Sequence, residues 1–121
     1  MASEEFRQRT FESGIRCIRV VESLPKTMVA QTLGKQLLRC ATSVGANYRS
    51  AVRARSRAEF IAKMGIVEEE CDESLHWMEV LVTAGFLKES LIYDLRKEGS
   101  ELLAITVQSI KTARTNAQSP G

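Results

Sequence analysis

Few residues in this chain could do chemistry, and their spacing limits what that chemistry would be. Glu73 and His76 stand at the Glu-x-x-His spacing that helical bundles use to hold a pair of iron ions, just after the run Glu68-Glu69-Glu70-Cys71-Asp72. Such a centre takes that motif from each of two helices and a carboxylate from each of the others, and His76 is the only histidine. No metal and no other cofactor is expected. One imidazole among carboxylates also leaves no Ser-His-Asp or Cys-His set for nucleophilic catalysis, so no catalytic residue is assigned and binding is the expected mode of action. Ala41-Thr42-Ser43-Val44-Gly45-Ala46-Asn47 holds one glycine but lacks the Gly-Lys-Ser/Thr ending of a phosphate loop. Its small residues suit close helix packing, with Asn47 as a structural polar group whose hydrogen bond would fix register.

Charge is the more informative pattern. Between Lys35 and Lys63 lie Lys35, Arg39, Arg49, Arg53, Arg55, Arg57 and Lys63 against Glu59 alone, a surplus of six positive charges. From Glu68 to Glu79 there are six acids and no Lys or Arg. The whole chain carries only +2, so binding of a polyanion would have to come from local clustering. Arg49, Arg53, Arg55, Arg57 and Lys63 are the candidate nucleic-acid contacts, since guanidinium forks match phosphate oxygens. The duller alternative is a solvated end or an internal set of salt bridges. The acidic segment offers a different partner, a basic protein.

These groups need elements to position them. Phe6, Phe11, Ile15, Ile18 and Val21 recur at helical spacing until Pro25; Val29, Leu33, Leu37, Cys40, Val44, Asn47 or Tyr48, and Ala51 mark a second helix. Ser56 with Glu59 forms a capping-box pattern before the stripe Phe60, Met64, Val67, Cys71, Leu75, Met78, Val82, which Gly85 ends. A fourth helix opens near Lys88–Ser90 and turns Leu91, Leu95, Leu102, Thr106 and Ile110 inward, before a polar tail that frays from about residue 115. Four amphipathic helices on short links predict an all-α fold, an antiparallel up-and-down four-helix bundle, as one domain over 1–121.

The third helix has more apolar surface than one stripe. Ile66, Trp77, Val80 and Leu81 lie on a flank of it, interleaved with Glu70 and Glu73. A wide core face explains part of this flank. Self-association through Ile66, Glu70, Glu73, Trp77 and Leu81 explains the rest, and opposed charge patches allow a head-to-tail ring. Apolar runs are too short for a membrane span, no signal peptide is evident, and no membrane partner is expected. Cys17, Cys40 and Cys71 are odd in number and sit among apolar residues, which predicts reduced core thiols and a cytoplasmic setting.

The stretch 36–81, most specifically Leu38-Arg39-Cys40-Ala41-Thr42-Ser43-Val44-Gly45-Ala46-Asn47 and then Ser56 to Phe60, resembles the four helix bundle protein family of bacteria, also called the 23S rRNA intervening sequence protein family. The resemblance implies a small up-and-down bundle without enzyme activity that assembles as a homopentameric ring. It also implies nucleic-acid binding, because the related accessory proteins of diversity-generating retroelements bind nucleic acid and a reverse transcriptase through basic surfaces. Where many members continue Ile-Ala-Glu-Gly after the asparagine, this chain has Tyr48-Arg49-Ser50-Ala51, a positive charge in place of an acid.

Overall fold

The computed structural model describes residues 3–118, which form four helices: α1 (Glu4–Glu22), α2 (Met28–Val52), α3 (Arg57–Thr83) and α4 (Glu89–Gln118). No strand occurs among the described residues.

Local chemistry sets the helix ends. The side chains of Ser3, Thr27 and Ser56 are N-caps, accepting from the backbone N–H groups of Phe6, Ala30 and Glu59. At Ser56 the reciprocal half of the capping box is displaced by one residue. Glu59 Oε2 accepts from the N–H of Arg55 at 3.3 Å, which ties the α2–α3 turn to the first turn of α3. At the other end of α3, Gly85 takes φ 86°, a left-handed conformation that Cβ-bearing residues rarely adopt. Its N–H donates to Val82 O and that of Phe86 to Leu81 O, the paired bonds of a Schellman motif.

Cross-helix bonds establish the topology. Ser3, at the start of α1, donates its N–H to the Tyr48 hydroxyl near the end of α2. Midway along α2 and α3, Arg39 meets Glu70 and Glu73, and the Ser74 hydroxyl donates to Cys40 Sγ. Cys71 Sγ donates to Gly99 O between α3 and α4, and Arg9 closes the square from α1 to Glu98 on α4. Each helix therefore runs antiparallel to its neighbours in an up-and-down bundle. The α1–α4 seam is the sparsest of the four.

The core has two apolar centres along the bundle axis. One gathers Phe6, Val44, Tyr48, Ala51, Met64, Val67, Leu102 and Ile110; the other Cys17, Leu24, Leu37, Ala41, Met78, Leu81, Ile92 and Leu95. Tyr48 is the largest fully buried side chain, set edge-to-face against Phe6 with ring centroids 4.7 Å apart.

Several expected inward positions are corrected. On α1 the buried set is Phe6, Thr10, Gly14 and Cys17, while Phe11 is 56% exposed and Ile15 38%. Five residues from Phe6 to Phe11 rotate the helix by about 140° beyond a full turn, which carries Phe11 off the core face. Val29 is exposed at the start of α2. On α4 Ile92, rather than Leu91, enters the core, and the helix extends to Gln118. Residues 119–121 of the predicted tail lie outside the described residues.

Candidate functional site

The end of the bundle where α2 turns into α3 is built from α2's last helical turns, the link 53–56 and α3's N-cap. Helical spacing puts Arg49 and Arg53 one turn apart on α2, with Arg53 as its C-cap residue. The short turn then returns Arg55 beside them, held through its backbone N–H by Glu59. Together Arg49, Ser50, Arg53, Arg55, Glu59 and Ala46 line an open trough of about 450 Å³.

Ion pairing separates these cations from most other arginines. Arg7, Arg9, Arg19, Arg39 and Arg96 each pair with a glutamate. Among the described residues, Arg16, Arg49, Arg53, Arg55, Arg57 and Arg114 do not, and four of these lie within nine residues at this one end. An internal salt-bridge set, the duller alternative, is absent there among the described residues. Arg57 is exposed in the first turn of α3 and Lys63 half-buried farther along; neither lines the trough. Three of the five candidate phosphate contacts are thus brought together, with the other two flanking them on α3.

A second concavity adjoins the first. Between α1 and α2, Arg7, Thr10, Phe11, Gly14, Ile15, Thr42, Gly45, Ala46 and Arg49 line a mainly apolar groove of about 360 Å³. Ala46 and Arg49 belong to both. The small stretch of α2 forms the floor: a Cβ at Gly45 would meet the α1 backbone at Thr10 and Phe11 at 3.5 Å, an ordinary contact. Alanine would therefore fit against α1, so helix packing alone does not require glycine here. Asn47 is half-buried and donates to Ser43 O at 2.9 Å on its own helix. Its bond is local, which corrects the expectation of a cross-helix register lock.

The expected self-association flank of α3 is divided by the structure. Leu81 is wholly buried in the second core centre, so it is not available on a free surface. Trp77 is half-buried against the same centre, and its Nε1–H is enclosed without a hydrogen-bond partner among the described residues. Glu70 and Glu73 both bind Arg39, at 3.4 and 2.7 Å. Only Ile66 keeps substantial apolar exposure, at 38%. α3 is flanked by α2 and by α4, and packing on two neighbours absorbs much of what looked like surplus apolar surface.

Glu73 and His76, at the Glu-x-x-His spacing, each contact another side chain. Glu73 is engaged by Arg39 and His76 stacks edge-on to Trp77; among the described residues no three His, Cys, Asp or Glu side chains gather as a ligand set. Glu68 is half-buried and Glu69 and Asp72 are exposed. The three thiols are free and buried.

Phe11 and Ile15 are the site residues that sequence reasoning placed wrongly, and the signal that could have found them is the inward run Thr10, Gly14, Cys17. An α1 stripe built on large apolar residues misses a helix that seats small ones against α2.

An all-α up-and-down bundle with one end rich in unpaired arginine is the class that fold and surface define. A model of the 23S rRNA-intervening sequence protein family matches residues 3–108, and the chain belongs to that family. A crystal structure of a protein of unknown function from the S23 ribosomal protein family of Bacteroides thetaiotaomicron superposes with a TM-score of 0.82 at 28% identity, covering 88% of this chain and 98% of that one. None of the curated proteins matches. No helix among the described residues is long and apolar enough to cross a membrane.

Proposed function

We propose that this chain is a single-domain, non-catalytic, cytoplasmic bundle that binds RNA or DNA through the arginine-rich end formed by Arg49, Arg53, Arg55, Arg57 and Lys63. The observation that carries the reading is the absence of ion-pair partners for these side chains among the described residues, when Arg7, Arg9, Arg19, Arg39 and Arg96 have one. Unpaired guanidinium groups grouped on one surface retain their full attraction for phosphate, and each phosphate they neutralise releases condensed counterions. The family's description, 23S rRNA-intervening sequence protein, is consistent with a nucleic-acid partner.

The bundle acts as a homo-oligomer in this reading, with the pentameric ring implied by the family resemblance. Ile66, three helical turns before the half-buried Trp77 on α3, is what remains of that flank for a subunit contact. Assembly would repeat the arginine end around the ring and raise affinity by multivalency. A rival reading gives the ring a basic protein partner on the acidic face of α3, through Glu68, Glu69 and Asp72. Arg39 already neutralises part of that face at Glu70 and Glu73, which makes it the weaker surface.

The test is binding to a short labelled RNA and DNA across a salt series, for the wild type and for Arg53→Glu/Arg55→Glu. Wild-type affinity falls as salt rises, and the double reversal lowers affinity at least tenfold and flattens the salt slope by about two phosphates' worth. Binding that ignores both changes would overturn the proposal and favour the protein-partner reading.

A further inference from the structure

We infer that the α1–α2 groove receives an unpaired base of the bound strand, stacked on Phe11, so that the protein prefers single-stranded nucleic acid to duplex. This inference rests on the reading of the arginine end as a phosphate contact.

Three observations converge on it. First, Phe11 is an aromatic ring 56% exposed, with no ring partner among the described residues, whereas Phe6, five residues earlier, is packed on Tyr48. Second, the groove beside it is mainly apolar, and its volume of about 360 Å³ falls within the roughly 300–1,000 Å³ of small-molecule sites. Third, the groove is continuous with the cationic trough, because Arg49 and Ala46 line both. An apolar slot carrying an exposed ring and opening directly onto unpaired arginines is complementary to a ligand that joins a flat apolar group to an anion, which describes a nucleotide in a chain. Single-strand sites elsewhere are built this way, from a positive groove for the backbone and an aromatic face for the base. A duplex keeps its bases paired and stacked within the helix. It could reach the arginines but could not fill the groove without the cost of unpairing.

Gly45 fits the same picture. It lies mid-helix, where glycine is unfavourable, yet a methyl group there would fit against α1. Gly45 adds no side chain to the groove it lines.

The experiment measures anisotropy of one labelled oligonucleotide, single-stranded and annealed to its complement, with the wild type, Phe11→Ala, Phe11→Tyr, Phe11→Leu and Arg53→Glu/Arg55→Glu. The wild type should bind the single strand more tightly. Phe11→Ala and Phe11→Leu should weaken single-strand binding roughly 5- to 100-fold and leave duplex binding unchanged, while Phe11→Tyr keeps the preference. Because Phe11 is exposed, these variants should fold, which far-UV circular dichroism checks. If the charge reversal abolishes binding to both forms but every Phe11 variant binds the single strand like wild type, the groove inference is overturned and the phosphate reading stands. If the charge reversal changes neither, the phosphate reading fails, and this inference with it. If Phe11→Ala instead changes the oligomeric mass while Phe11→Leu preserves it, the groove seats a second copy of the chain, and the inference is overturned.

Discussion

Burial pushes the Cys17 and Cys71 thiols up to about 12 and raises Cys40 as well, against an ordinary value of 9.0. Thiolate is the reactive form, so these side chains act as small core hydrophobes. At about pH 8 a thiol-specific reagent should find no fast-reacting cysteine in the folded protein and all three in denaturant. Prompt labelling of the native state would contradict their burial. The same shifts make the fold sensitive to alkali. Below the unfolded value of 9.0 the thiols are neutral in both states and their contribution is complete. As pH rises toward about 12 the unfolded chain ionises first, and stability is lost across that window. Cysteine placement was legible in the sequence because three thiols, far apart along the chain and each among apolar neighbours at helical spacing, pack as core residues. The fate of Tyr48 was not: its hydroxyl is held by the backbone N–H of Ser3, 45 residues away.

At the scale of elements, the α1–α4 seam shows how pairing closes a bundle. Arg9 donates to both oxygens of Glu98, at 2.9 and 2.7 Å, and to Glu101 at 3.1 Å. The hydrogen bonds from Arg9 outweigh burial and hold the Glu98 carboxyl below its usual range. A depressed carboxyl stabilises the fold above its ordinary value of 4.5, and the gain is lost as pH falls below that toward the folded value. Arg9→Ala should therefore cost about 1 kcal/mol at neutral pH, after allowance for a pair that is only partly buried, and almost nothing at about pH 2. Urea midpoints at the two pH values measure this; an equal loss at both would show that Arg9 acts through packing and not through charge. Helix limits were readable from Pro25, Ser56 and Gly85, because capping and breaking are local backbone effects. The phase of α1 was not. Thr10 and Gly14 face inward because α2 comes close to them there, and helical periodicity read from large apolar residues cannot register that approach.

For the whole molecule, the proposed assembly is the property to measure. Light scattering behind size exclusion should return several times the 13.5 kDa of one chain for nucleic-acid-free protein, and added RNA or DNA should raise the mass at low salt only. A monomer indifferent to nucleic acid would remove both halves of the proposal. What the sequence by itself determined is the class of fold, the four helices with most of their limits, and the concentration of arginine near the α2–α3 turn. All of these are properties of neighbours along the chain: periodicity, caps and local charge. Only the tertiary structure decided which charges remain free and which apolar residues remain exposed. Glu70 and Glu73 are neutralised by an arginine more than thirty residues away. Leu81 is buried in a core centre shared with residues of the other three helices, whereas Phe11 is left uncovered beside Arg49. Burial and ion pairing depend on which surfaces meet in space, and helical spacing specifies only the direction in which each residue points.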